Sequence, residues 1–411
     1  MILTKIKTMA KTSDAKKEQI KATRNATRER RKTQTCKCYT LKIVQNRLNK
    51  TQKEYLRKVF IEAKWFYNFL LSQENIFESL ELTKLKQVQI KTLNGFENRN
   101  IEVLSSQVRK GLFDRLISSI KSLSQLKKND FKVGRLKFKP EINSIDFIQH
   151  KISWQIKNNK IKLQGLKEPL AVRGLEQIKG EFELVNCKLI RRASGYYLQI
   201  TTFQEKQEKE TTGSAIGLDF GIKDNITTSN NEKYNFHFPE SKKLKRLQKH
   251  FARKSKGSKN KYKLLAKIKK EYESTSNLKK DACNKFVNKL QKENDLIVIQ
   301  DELISQWHKG IFGKSVQHSI LGAIKSKLKN LESTLVLSSK EPTTKMCFCG
   351  FKNDIQLKDR VFKCQKCKFE MERDLKSSLY ILHRGLQQKA ISCGTQDYTC
   401  GEAYKSLIVA I

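Results

Sequence analysis

The stretch SAIGLDFGI at 214–222 decides the fold of the C-terminal half. Side chains alternate across a strand, so Ile216, Leu218 and Phe220 share one face and Asp219 projects from the other. Gly217 and Gly221 flank that carboxylate, and glycine lets a backbone or a metal come close. An aspartate in the middle of a buried strand is costly unless it is paired or bound to a metal. Asp219 is therefore the first candidate catalytic residue.

Two shorter β-runs follow near 225–237. A helical pattern at 241–270 then holds fourteen Lys and Arg and no acid, which suits contact with a nucleic-acid backbone. A further helix covers about 276–292. The run LIVIQDEL at 296–303 is apolar almost throughout, as in a central strand, and ends in Asp301 and Glu302. Ligands in open α/β sheets gather at strand ends. A helix at about 314–331, the strand TLVLSS and a cysteine cluster come next. ERDLKSSLYIL at 372–382 then opens a helix with Asp374 in its first turn, where capping alone would also favour an acid. Three β-runs, helices, then alternating strand and helix is an RNase H-like order. Two strand-borne acids and one helix-borne acid are the donor set that two magnesium ions need to hydrolyse a phosphodiester. No Ser/His/Asp order and no Walker loop competes.

Cys347-Phe-Cys349-Gly350 and Cys364-Gln-Lys-Cys367 read as two knuckles of a zinc ribbon. Four thiolates make a closed structural site with no open position for catalysis. Cys36 and Cys38 form another CxC without a second pair nearby, and read as structural.

The whole chain has 411 residues and a formal net charge of +43. Such an excess points to a polyanion as the working partner, and nucleic acid is the better choice. No apolar run is long enough to span a bilayer, and MILTKIKTMA lacks the apolar core of a secretion signal. The expected location is therefore the cytoplasm. Residues 1–35 are a basic arm, expected to be disordered or to fold on RNA. A strand at 36–47 precedes a helix in which Thr51 and Glu54 have capping-box spacing. A second helix runs about 103–128. Short alternating strands at 132–205 suggest a small barrel or sandwich. The early strand would complete it, making the helices at 51–128 an insertion.

Taken together, GLDFGIKD, IVIQDEL, CFCG…CQKC and RDLKSS resemble the TnpB (OrfB) proteins of insertion sequences and the compact type V CRISPR effectors. AKWFYNFLLSQ (63–73), GRLKFKPEINS (134–144), RKSKGSKNKYK (253–263) and NLKKDACNKF (277–286) extend the resemblance over about 36–385. It implies an RNA-guided DNA endonuclease with multidomain α+β architecture. A β-barrel wedge domain would take 36–50 and 129–205, with a helical recognition insert at 51–128. After a linker at 206–213, a RuvC-like nuclease domain of RNase H-like fold would take 214–342 and 371–390. A zinc ribbon would occupy 343–370, and a tail 391–411. The implied cofactors are two magnesium ions, a structural zinc and a guide RNA. The implied partners are that RNA with double- and single-stranded target DNA, without a membrane, and a monomer on one RNA is the expected state. Asp219, Glu302 and Asp374 match the three RuvC acids, and Cys347, Cys349, Cys364 and Cys367 the zinc ligands. The second motif, usually (V/I)xxED, aligns Gln300 with its Glu and Asp301 with its Asp. Glu302 shares the strand parity of Gln300 and is preferred, with Asp301 the runner-up. The third motif, usually DRDxNAA, reads ERDLKSS, so Lys376 replaces an Asn and could contact phosphate. These departures leave a nuclease-impaired, RNA-guided DNA-binding regulator as the alternative.

Overall fold

The computed structural model describes residues 13–73, 80–92, 94–206, 211–356 and 359–393. Residues 1–12 of the expected arm, 207–210 of the linker and 394–411 of the tail lie outside them. Contacts divide the chain into two units, Met1–Glu208 and Lys209–Ile411.

The first unit begins with α1 (Asp14–Arg30), β1 (Gln34–Ile43), α2 (Lys50–Leu71), the hairpin β2 (Gln87–Thr92) and β3 (Gly95–Asn100), and α3 (Ser106–Lys128). Six strands follow: β4 (Ser144–Phe147), β5 (Trp154–Lys157), β6 (Lys160–Leu163), β7 (Val172–Arg173), β8 (Glu183–Arg192) and β9 (Gly195–Glu205). Five strands make one antiparallel sheet in the order β4-β8-β9-β1-β7. The expected barrel is an open sheet among the described residues. Its edges, β4 and β7, are too short to carry pairing round to each other, and β5 and β6 form a separate ribbon.

Helix α2 starts two residues before the expected capping box. Asn49 is the cap: its side chain accepts from the Gln52 amide at 2.7 Å, and the Gln52 side chain accepts from the Asn49 amide at 3.1 Å. Leu56 and Phe66 of α2, Leu112 of α3 and Leu41, Leu189 and Leu198 of the sheet belong to one hydrophobic core, so the helical insert has no core of its own. Part of the arm expected to be disordered is helical: α1 is built of good helix formers and buries no residue.

The second unit runs β10 (Ala215–Phe220), β11 (Ile226–Thr228), β12 (Lys233–Tyr234), α4 (Lys242–Ala252), α5 (Lys259–Glu293), β13 (Leu296–Gln300), α6 (Ile304–Trp307), α7 (Gly313–His318), α8 (Leu321–Leu328), β14 (Thr334–Leu337), β15 (Val361–Lys363), β16 (Glu370–Glu372) and α9 (Arg373–Cys393). Its sheet has the order β12-β11-β10-β13-β14. The first two ladders are antiparallel, and β10–β13 and β13–β14 are parallel. Ile216, Leu218 and Phe220 pack with Phe286, Val287 and Leu290 of α5 and with α8 on one face. On the other face, Val298 packs with Ile381, Leu382 and Leu386 of α9. All five residues of β13 are buried, as a strand covered on both faces requires.

Two glycines set how closely α9 lies on that second face. A Cβ at Gly217 would stand 2.3 Å from the Ser378 carbonyl oxygen, and one at Gly385 would stand 2.5 Å from the Val298 methyls. Gly217→Ala therefore pushes α9 off the sheet. The expected loss is about 3 kcal/mol, as for overpacked cores, read from the denaturant midpoint; an unchanged midpoint would show that α9 is not seated there.

Candidate functional site

Position 374 lies one helical turn before Ser378 and two before Leu382, on the stripe of α9 that rests against Gly217. Asp219 is two residues along β10 from Gly217, on the same face. The seat that joins helix and strand thus also brings Asp374 to Asp219. The carboxyl of Asp219 is held well above the usual carboxylate range by burial first, and then by the negative charges of Asp374 and Glu302. Arg373 and Lys376 oppose that rise. Burial also raises the Glu302 carboxyl, and Lys325 offsets it.

Glu302 reaches this cluster by a route other than strand parity. β13 ends at Gln300, and the Glu302 amide donates to the Gln300 carbonyl at 2.9 Å in a tight three-residue turn. Alternation therefore stops before position 302. Gln300 is buried and turned elsewhere. Its amide donates to the carbonyls of Ser338 at 3.1 Å and Glu341 at 2.6 Å, and its oxygen accepts from the Thr343 hydroxyl at 2.8 Å. Asp301, the runner-up, pairs with Lys325 at 2.6 Å and Lys329 at 3.1 Å, which holds its carboxyl below the usual range.

Asp374 has two cationic neighbours that the sequence did not single out. Arg373 donates to its Oδ1 at 3.0 Å through Nε and lies 2.9 Å from it through Nη2, and Arg360 stands 3.8 Å from Oδ2. Arg373 also donates to the Asp359 carbonyl at 2.8 Å, and its amide donates to the Arg360 carbonyl at 2.9 Å. The loop at 359–360 is thereby tied to the start of α9. Only its place in RDLKSS could have drawn attention to Arg373, and nothing local marks Arg360.

The four expected cysteines come together. Their sulfur atoms lie within 4.8 Å of one another, and this is the one such cluster among the described residues. Cys347 to Cys367 is 3.6 Å and Cys349 to Cys364 is 3.7 Å. The edge of a tetrahedron with arms of about 2.3 Å is about 3.8 Å, so the set is compatible with zinc. The three acids do not close to that degree, and the guanidinium groups on Asp374 would have to yield to a metal. Beneath the thiols sits Lys376, fully buried. Its ammonium donates to the carbonyls of Thr343 at 2.8 Å, Thr344 at 2.8 Å and Met346 at 2.6 Å. Burial pushes its pKa down to about 7. It supports the loop that enters Cys347 and is not open to a phosphate, contrary to the sequence reading. Cys36 and Cys38, expected to be structural, are exposed on β1.

The acid-free stretch at 241–270 forms α4 and the first third of α5. Between Lys259 and Ala282 only Ile268 is buried. Lys243 pairs with Glu271 across the two helices, and the other cations are left mostly to solvent. No helix among the described residues is long and apolar enough to cross a membrane.

Known families match the segments that carry both parts of this site. The OrfB_IS605 family, described as "Probable transposase", matches residues 199–305, which carry β10, β13 and Glu302. The "Cas12f1-like, TNB domain" matches residues 318–381, which carry the four cysteines and Asp374. Two curated relatives bear the name "Putative RNA-guided DNA endonuclease". The one from Streptomyces pristinaespiralis is 24% identical over 263 residues, 61% of this chain and 64% of its own length. The other, InsQ of Escherichia coli strain K12, is 25% identical over 248 residues, 54% of this chain and 61% of its own. The matched segments thus span about three-fifths of those relatives. A cryo-EM structure of a Cas12f1–sgRNA–target DNA complex aligns over 85% of this chain and 99% of that one, at 15% identity and a TM-score of 0.42. Both family matches fall on the segments that build the acidic and thiol clusters, and with the two curated relatives they make the chain similar to TnpB-like (OrfB) proteins in both parts.

Proposed function

We propose that this protein is an RNA-guided DNA endonuclease that hydrolyses phosphodiester bonds at Asp219, Glu302 and Asp374. One observation carries the reading. Acids from two distant segments, Asp374 and Glu302, come near enough to Asp219 that their charge adds to burial in raising its carboxyl, on the sheet surface where α9 is seated. A buried carboxyl set beside two further acids is costly and is found where cations or reaction chemistry compensate it. The sheet order β12-β11-β10-β13-β14 supports an RNase H-like, RuvC-type domain.

Asp219, Glu302 and Asp374 would hold two magnesium ions, which when bound lower the pKa of water and neutralise charge on the phosphate. The chain's own part is orientation. β10 fixes Asp219, the turn after β13 delivers Glu302, and α9 presents Asp374. The four thiolates would hold a structural zinc, making residues 343–370 a zinc ribbon. A guide RNA would select the DNA by base pairing, while α4 and α5 contact phosphates without reading sequence. The protein would work in the cytoplasm as a monomer on one RNA.

The arginine pairing at Asp374 favours a second reading, a guided DNA binder impaired in cutting. Sequencing the RNA that copurifies, then offering duplex DNA matched to it with magnesium, separates the two. Endonuclease activity predicts a cut product that disappears with EDTA and with unmatched DNA. Tight guided binding with no product at any magnesium concentration would favour the binder.

A further inference from the structure

The aromatic run Trp65-Phe66-Tyr67 divides in the folded chain. Phe66 and Tyr67 are 0% and 1% exposed and belong to the core. Trp65 lies at the core's edge and forms one wall of a cleft of about 460 Å³, a volume in the range of small-molecule sites. Lys58, Ile61, Glu62 and Trp65 recur at helical spacing along α2 and make one side of it. Hairpin β2–β3 makes the other side.

The chemistry of this cleft is uneven from floor to rim. At the floor, the buried Glu62 carboxylate accepts from the Val103 amide at 2.9 Å and the Leu104 amide at 3.2 Å, so its charge is already satisfied by the backbone. A negative floor turns a phosphate away and leaves room for a neutral ring. The flat groups are Trp65 and the Arg99 guanidinium, whose Cζ is 5.9 Å from the indole centroid. Both kinds of surface stack on nucleobases. Along the hairpin, Gln87 donates to the Asn100 oxygen at 3.2 Å, and the Asn98 amide, exposed, has no side-chain partner. A free amide carries both donors and acceptors, which is what the edge of a base requires. At the rim, Arg57 and Lys58 are held only by exposed pairs with Glu54 and Glu102, which are weak and easily exchanged for a phosphate.

We propose that this cleft is a nucleotide-binding pocket that receives one unpaired nucleotide of the bound nucleic acid. The base stacks on Trp65, its edge meets Asn98, and its phosphate meets Arg57 and Lys58. The inference rests on the nucleic-acid reading above and adds to it a site distinct from the acids.

The test uses the full chain, freed of copurified RNA by high salt, and follows tryptophan emission on titration with short homopolymeric DNA single strands and with AMP. Quenching is expected with the strands and is absent from Trp65→Phe, which still binds them. Trp65→Leu weakens strand binding about tenfold, in line with the loss of one stacked base. Asn98→Ala, at an exposed position that leaves the fold intact, changes the preference among homopolymers. Strand affinity unchanged in both Trp65→Leu and Asn98→Ala overturns the pocket. AMP bound as tightly as a strand also overturns it, because the occupant is then a free nucleotide. Guided cutting is assayed on the same preparations. A chain that cuts matched DNA without Trp65 quenching loses only the pocket, and one that quenches but never cuts loses only the nuclease reading.

Discussion

Asp219→Ala abolishes guided DNA cleavage, with an expected loss of roughly a thousandfold or more, the scale set by removing a group that stabilises transition-state charge. Binding of matched DNA to the guided complex stays within a few-fold. Both follow from position: the carboxylate is set near the end of β10, on the face where α9 is seated, while the cations that would meet nucleic acid lie on other elements. Glu302→Gln should lose cutting to a similar extent. Asp301→Asn should change it little, because Asp301 is neutralised by Lys325 and Lys329. The reverse pattern, with Asp301→Asn inactive and Glu302→Gln active, would reassign the second acid. The same cluster has a stability signature in the metal-free protein. A carboxyl whose pKa is raised by folding favours the folded state only while protonated, and that contribution is lost as pH rises through the folded value. At neutral pH the Asp219 carboxyl is therefore a liability to the metal-free fold, so Asp219→Asn raises Tm there. The gain fades as pH falls below the usual carboxylate value of about 4.

The second large effect is expected at the thiols. Cys364→Ser removes a buried thiol of the cysteine cluster from a module whose hydrophobic core, among the described residues, is Cys347, Phe362 and Cys364, with Ile355 and Phe369 against it. So small a core cannot hold two three-residue strands together. Structural zinc supplies about 10–16 kcal/mol of apparent binding energy in comparable small sites, and that energy is folding energy. The variant should lose its stoichiometric zinc by elemental analysis and unfold the region around β15 and β16, seen as fast amide exchange. Cutting should fall as well, since Lys376 and Arg373 tie this region to the first turn of α9, where Asp374 sits. A Cys364→Ser protein with full zinc content and unchanged exchange would remove the metal from the account.

Asp219 was legible because period-two alternation and two glycines surround it, and both are local signals. The cysteines were legible because metal spacing is local too. Glu302 was reached by an argument from strand parity that does not hold, since the chain turns at 300–302; a tight turn leaves no periodic trace. Lys376 reads as a phosphate contact in sequence because its burial comes from carbonyls thirty residues away. Arg360 meets Asp374 only through tertiary folding. The open sheet differs from the expected barrel for a related reason. Alternating runs announce strands, but closure depends on the length of edge strands, and β7 has two residues.

Helix α5 is long and buries little along its first two thirds. From Lys259 to Ala282 it carries a single buried residue, over 24 residues or about 36 Å of rise. One turn of B-form duplex repeats every 34–36 Å or so. A rigid rod of that length, laid along a duplex, can touch phosphates at both ends of one turn and register distance without registering bases. In the proposed guided complex, shortening it by one helical turn would bring its two ends about 5 Å closer together.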